Sequence, residues 1–340
     1  MTMSEAIEHL MRGQDLARAD MSELMQLIMS GQATDAQIGG FLVALAIKGE
    51  SVDEISAAAE VMRSLSAKVD LPLKHLVDTC GTGGDGASIF NVSTASAFVC
   101  AAAGAHVAKH GNRSVSSKTG SADLLEHAGV KLGLSPAQVA QCVEQVGVGF
   151  MFAPAHHSAM KHAIGPRKEM GVRTVFNLLG PLTNPANTPN QVLGVFSADW
   201  VEPMARVLQS LGSQHVMVVH SQDGLDEISI AAKTQVAELK DGEVTVWTLD
   251  PADYDMQYDS LEGLSALDVA DSHRLVMNAL NGVPSPEADI VALNAGAAIY
   301  VSGVEPTLAQ GVERAKQVMA SSEAAQRLSS LAALTQGFDA

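Results

Sequence analysis

The 340-residue sequence predicts an α/β protein, with a small all-helical N-terminal domain followed by a larger α/β domain built on a mainly parallel central sheet. Three observations predict it. Residues 1–70 carry only helix-period apolar patterns. From about residue 71, short β-type apolar runs alternate with helical stretches, the order that builds parallel sheets. A loop unusually rich in glycine then sits between a predicted strand and a predicted helix.

Ser4 is placed to cap a first helix, with Ile7, Leu10 and Met11 on one face. A second helix turns Leu24, Leu27 and Ile28 inward and stops at Gly31. Thr34 with Gln37 forms a capping box ahead of Ile38, Phe41, Leu42 and Leu45. Ser51 with Glu54 forms another, ahead of Ile55, Ala58, Ala59, Met62 and Leu65. Four short amphipathic helices make a small bundle. The pattern changes at Val69-Asp70-Leu71-Pro72. Strands are expected at Leu76-Val77, 106–108, 146–152, 191–196 and 215–220. Helices are expected over 94–103, 121–127 and 200–211. Asp241-Gly242 predicts a type I′ hairpin turn between 236–239 and 244–249, and residues 307–336 read as helical. The stretch 165–189 is broken by Gly180-Pro181 and Asn184-Pro185. It reads as a crossing between domains, so that part of it completes the helical domain of residues 1–70. The α/β domain then comprises 71–164 and 190–340.

Thirty-eight Asp and Glu against 21 Lys and Arg leave a net charge of −17. Nucleic-acid binding draws its affinity from neutralised phosphates, so this balance argues against a nucleic-acid partner, although a local basic patch could still hold a small phosphate. Cys80, Cys100 and Cys142 show no CxxC spacing and read as reduced residues of a cytoplasmic protein. The first residues lack a basic region followed by an apolar one, and no apolar run is long enough to span a bilayer, so no membrane partner is expected.

Asp78-Thr79-Cys80-Gly81-Thr82-Gly83-Gly84-Asp85-Gly86 exposes backbone N–H groups and tolerates positive φ. The helix N-terminus that follows adds positive dipole, and together these suit a phosphate or pyrophosphate. Asn91, Ser93 and Thr94 add an amide and two hydroxyls. Taken alone, the stretch also reads as a plain βα turn. The run from Lys109 to Ser121 clusters three cations, Lys109, Arg113 and Lys118, with an amide and several hydroxyls. It reads either as a polyphosphate clasp or as a solvated loop. Asp226-Glu227 offers two carboxylates of the kind magnesium takes alongside substrate phosphates, or else a solvated acidic turn. Arg167, in the helical stretch 158–170, could grip a planar carboxylate with two bonds. His156 and His157 are adjacent and have no third ligand at a suitable spacing. They do not read as a metal pair; His157 reads as a pocket residue and His156 as structural.

These segments in this order, GTGGDG, NVST, KHGNRSVSSKTGSADLLE, GPRKEMGVRTVFNLLGPLTNP and DGLDEIS, closely resemble the anthranilate phosphoribosyltransferase family over nearly the whole chain. The resemblance implies transfer of phosphoribose from phosphoribosyl pyrophosphate to the anthranilate amine, a step of tryptophan biosynthesis. It also implies magnesium as cofactor, as two ions with the donor, and a homodimer joined through the helical domain. Contacts to the donor fall on Gly81, Gly84, Asp85, Ile89, Asn91, Val92, Ser93, Thr94, Lys109, His110, Gly111, Asn112, Arg113, Ser114, Val115, Ser116, Ser117 and Ser121. Contacts to anthranilate fall on Gly81, Asn112 and Arg167, with His110 and His157 beside them, and magnesium ligands on Ser93, Asp226 and Glu227. No acid, base or nucleophile is implied. The sequence departs from the family at Ile89, where a hydroxyl is usual, and one neutral hydrogen bond of about 1 kcal/mol is expected to be lost there. Two other readings share features of the sequence: a nucleoside phosphorylase of the same fold, and a non-catalytic nucleic-acid-binding relative.

Overall fold

The computed structural model describes residues 1–114 and 118–338. Four helices come first: α1 (Met3–Met11), α2 (Arg18–Met29), α3 (Asp35–Lys48) and α4 (Val52–Leu65). Both predicted capping boxes form, at Thr34/Gln37 and Ser51/Glu54. The first helix starts earlier than expected, because Thr2 rather than Ser4 closes a capping box, with Glu5. That start turns Met3, Ala6 and Leu10 inward and leaves Met11 exposed. Leu27 is only half-buried and Leu65 is exposed.

The α/β part runs β1 (Leu76–Gly81), α5 (Val92–Ala102), β2 (His106–Gly111), α6 (Ser121–His127), α7 (Pro136–Val146) and β3 (Val148–Phe152). A crossing follows, with α8 (Ala153–His156), α9 (Lys161–Met170) and α10 (Phe176–Leu182). Then come β4 (Asn190–Gly194), α11 (Val201–Ser210), β5 (His215–Ser221), β6 (Thr234–Lys240) and β7 (Glu243–Leu249). Four helices close the chain: α12 (Val269–Leu280), α13 (Pro286–Val301), α14 (Leu308–Ala320) and α15 (Glu323–Gln336). The predicted turn at Asp241-Gly242 has φ of +52° and +81°, as a type I′ hairpin requires. The sequence reading did not anticipate α7, α12 or α13.

The described strands form one seven-stranded sheet in the order β3-β2-β1-β4-β5-β6-β7. β3 through β5 are parallel and the β5–β6–β7 edge is antiparallel. Alternate residues of each strand face opposite sides. Met217 and Val219 of β5 join the core under α5 and α12–α15. Val216 and Val218 join the core shared by α11 and the N-terminal helices. Ala163 of α9 and Phe176, Leu178, Leu179 and Leu182 of α10 sit in this second core, so the crossing packs on the helical side. We read the helical domain as residues 1–70 completed by these helices.

β1 is central to the placement of the site. The chain passes from β1 outward to β2 and β3, then returns to β4 on the other side of β1. In an open parallel sheet such a reversal leaves a crevice at the C-terminal ends of the strands, where ligands bind. Here those ends are Gly81 and Gly194, which are paired in register.

Candidate active site

The glycine loop leaves β1 at Gly81. Gly83, Gly84, Gly86 and Ser88 adopt positive φ. Only glycine enters that region without cost, which explains three of the four residues. Gly81 and Gly194 are glycine for a different reason. A Cβ on Gly81 would lie 2.5 Å from Asp226 Oδ2, and one on Gly194 would run into the Asp226 carbonyl. Two strand ends without side chains let the loop after β5 drop into the crevice.

That loop delivers both predicted metal carboxylates. Asp226 Oδ2 accepts from the Gly83 N–H at 2.8 Å, and Glu227 Oε1 accepts from the Ser93 N–H at 3.1 Å. Burial pushes Asp226 up to about 7, with the Asp85 charge adding to it. Burial pushes Glu227 up to about 8, with Asp226 adding to it. Three carboxylates thus crowd one crevice. Lys109 is the cation facing Glu227, and its Nζ lies 3.3 Å from Ser93 Oγ and donates to the Thr79 carbonyl. Among the described residues no three or more His, Cys, Asp or Glu are grouped so as to hold a metal by themselves. Surplus carboxylate oxygen beside a phosphate-binding loop fits magnesium, which keeps waters and shares its ligands with phosphates.

The basic loop differs from expectation. β2 extends to Gly111, so Lys109 and His110 lie on a strand and point to opposite faces. Arg113 is already paired within the loop and α6. It makes two bonds to Glu126, at 2.7 and 3.0 Å, and one to Asp123 at 3.1 Å, because α6 presents two carboxylates to it. Asn112 accepts from the Arg113 N–H, and its carbonyl accepts from Ser121 Oγ. Ser114 N–H is held by Asp123. Val115, Ser116 and Ser117 lie outside the described residues. Asn91 reaches Ser272 Oγ at 2.8 Å and Thr119 Oγ1 at 2.9 Å, tying the start of α5 to α12 and to this loop. Thr94 Oγ1 is buried without a partner, and Val92, two residues earlier in α5, is buried in the core. Ile89 packs its side chain on the main core and makes its bridge through the backbone, to Ser265.

His110 and His157 face each other with ring centroids 5.1 Å apart. The crossing backbone at Gly180 neighbours the His110 ring and that at Thr183 neighbours the His157 ring. Each ring leaves a buried Nε2 without a partner. Burial, with neighbouring histidines adding to it, pushes His110 down to about 3 and His157 down to about 4. These are neutral acceptors. Because the folded values lie below the unfolded value of 6.5, the unfolded chain binds the extra protons. The pair's contribution is therefore full above 6.5 and lost as pH falls toward 4, by on the order of 3 kcal/mol per group. Thermal unfolding from pH 8 to 4 should show this loss, and His157→Gln should flatten it.

Arg167 is half-buried and stacks on Phe176 at 4.9 Å. No carboxylate of the described residues pairs with it, and burial pulls its pKa down. Phe176 opens α10, whose far end neighbours the two histidines. His156 is structural, with Nδ1 2.9 Å from the Ala67 carbonyl. Arg173 was not singled out from the sequence. It stacks on Phe196 at 4.4 Å and donates to the Gly84 carbonyl, joining the crossing to the glycine loop. Only the GVRT segment hinted at it.

The crevice formed by the glycine loop and the paired carboxylates lies in a chain that matches a glycosyl transferase family in both its helical and its a/b domain. The helical bundle domain of the glycosyl transferase family matches residues 4–66, and the a/b domain of that family matches residues 73–325. The anthranilate phosphoribosyltransferase of Thioalkalivibrio sulfidiphilus is 61% identical, with 98% of this chain and 99% of the relative covered. That of Marinomonas sp. is 60% identical, with 99% and 98% covered. The Thermus thermophilus structure of that name has a TM-score of 0.92 at 41% identity, covering 98% of this chain and 99% of that one. The Saccharomyces cerevisiae one, in complex with PRPP and Mg, has a TM-score of 0.89 at 25% identity, covering 99% and 98%. This chain belongs to the anthranilate phosphoribosyltransferase family.

Proposed function

We propose that the protein transfers the phosphoribosyl group of 5-phosphoribosyl 1-pyrophosphate to the amine of anthranilate, releasing pyrophosphate. The observation that carries the reading is the pairing of two unlike half-sites. A glycine loop and Lys109 suit a pyrophosphate, while an unpaired arginine and two neutral histidine acceptors suit an aryl amine bearing a carboxylate. The donor lies along Gly81, Gly84, Asp85, Asn91–Thr94 and the loop after β2. Magnesium, held by Asp226, Glu227 and Ser93 and matching two ions with the donor, would neutralise the leaving pyrophosphate.

As the C1–oxygen bond breaks, positive charge builds on the ribose and negative charge on the leaving group. Lys109 and the loop N–H groups would stabilise the negative charge that develops on the leaving pyrophosphate. Arg167 holds the anthranilate carboxylate and thereby presents the amine to C1 from the opposite face. The amine nitrogen forms the new bond as the C1–oxygen bond breaks, and its surplus proton passes to solvent, with His110 and His157 lying beside the anthranilate. Loss of anthranilate fluorescence that requires protein, donor and magnesium together tests the reaction. Turnover of thymidine with phosphate instead would transfer the reading to a phosphorylase.

Arg167→Ala should raise the KM for anthranilate about 10- to 100-fold, the worth of a charge-assisted bond, and leave the KM for the donor nearly unchanged. An unchanged anthranilate KM would remove Arg167 from this role.

The protein reads as a homodimer joined through its helical domain. Val43 and Ile47, one turn apart on α3, are 38% and 82% exposed, an apolar stripe on the side of α3 away from its own core. Glu at both positions should convert a dimer to a monomer by light scattering after size exclusion. A wild-type monomer would sink the reading.

A further inference from the structure

Asp78 and Asn184 take no part in the contacts proposed above, yet both are buried in the protein, at 0% and 2% exposure. Asn184 Nδ2 donates to Asp78 Oδ2 at 2.7 Å and to the Ala108 carbonyl at 2.8 Å. Asp78 Oδ1 accepts from the His110 N–H at 3.3 Å. Asn184 Oδ1 accepts from the Ala186 N–H at 2.8 Å. One carboxylate and one amide therefore join three segments: β1, the His110 end of β2, and the end of the crossing.

Uncharged residues would satisfy the backbone here, so the charge needs a reason. Isolated buried carboxylates are costly, and burial raises the Asp78 pKa. Its compensating neighbour is Lys109, on the opposite face of β2. Asp78 is thus coupled to both consecutive residues, to Lys109 by charge and to His110 through its N–H. Asn184 lies one residue after Thr183 and four after Gly180, whose backbone neighbours the His157 and His110 rings.

We infer that the buried Asp78–Asn184 pair is a positioning device that registers the crossing segment on β2, setting the anthranilate-side histidines against the pyrophosphate-side lysine. The inference rests on the proposed reaction. Asn184 sits on the crossing and meets β2 only at the Ala108 carbonyl, so its effect falls chiefly on anthranilate, whereas Asp78 acts on both half-sites.

The test compares Asn184→Asp, Asp78→Asn and the exchanged pair carrying both. All three keep the shape of the side chains. Asn184→Asp sets two carboxylates against each other. It should raise the KM for anthranilate at least tenfold while moving the donor KM about twofold or less. Asp78→Asn should raise both KM values. The exchanged pair restores one donor facing one acceptor and should recover most of the anthranilate KM. Equal movement of both KM values in Asn184→Asp, or no recovery in an exchanged pair that folds with wild-type circular dichroism, would overturn the inference. If Asn184→Asp does not fold, Asn184→Ser takes its place with the same expected split. A wild-type protein that consumes no anthranilate would instead remove the proposed reaction, a failure distinct from these.

Discussion

Asp226→Asn combined with Glu227→Gln should lower kcat/KM by about 10³ while leaving the protein folded and at least as stable. The activity loss follows from the several kcal/mol that a metal contributes to a charged transition state, with each 1.36 kcal/mol worth about tenfold. The structural outcome follows from what remains. Asn Oδ1 and Gln Oε1 can still accept from the Gly83 and Ser93 N–H groups. What disappears is the crowding of buried negative charge, which pushes both carboxyls upward in the folded protein. Each such group lends its stability at low pH and loses it as pH rises through the folded value. Neutral substitutes escape that loss, so unfolding at pH 8 should occur at an equal or higher temperature. Magnesium titration with both substrates present supplies the second readout. A variant that retains magnesium-dependent turnover would remove these residues from the metal role.

Lys109→Met should fail on both counts, losing activity and stability. Lys109 is 2% exposed and faces Asp78, Cys80 and Glu227. Burial pulls its pKa down, and the surrounding negative charge pulls it back. Removing one partner of a buried charge pair leaves the other uncompensated, at a cost of about 3–5 kcal/mol. The preorganised positive charge for the departing pyrophosphate goes with it, worth about 10²–10³ in kcat. Lys109→Arg should not restore activity. The ammonium sits against the Thr79 carbonyl and Ser93 Oγ, a niche for a point charge and not for a planar fork. Denaturant unfolding and steady-state kinetics on the same preparation measure both effects. Wild-type kcat in a folded Lys109→Met protein would show that the charge is not used.

The parts legible in the sequence were those carried by short-range signals. Thr34/Gln37 and Ser51/Glu54 announce helix starts because a cap is satisfied within four residues. Asp241-Gly242 announces a hairpin because both residues accept positive φ. The glycine loop, the basic run and the carboxylate pair stand out because their residue types are costly unless used. The helix α13 escaped notice for the opposite reason. It is buried on nearly every side, from Ile290 to Val301, so it shows no amphipathic period to read.

What the sequence could not reveal depends on residues far apart along the chain. Arg113 reads as a free cation until α6 brings Glu126 and Asp123 beside it. Gly194 looks like an ordinary strand end until the Asp226 backbone crosses it. Arg173 meets the glycine loop from 89 residues away, and Asn184 meets Asp78 from 106. The sequence by itself determined the two-domain α/β class and the residue types of both half-sites, because backbone conformation and desolvation cost are local properties of those residues, and the order of its motifs carried the resemblance to the family. Only the tertiary structure decided which charges are already paired, which histidine nitrogens are left free and which buried pair holds the halves in register, because a charge takes its role from its partners and those partners are joined only when the sheet and the crossing close around them.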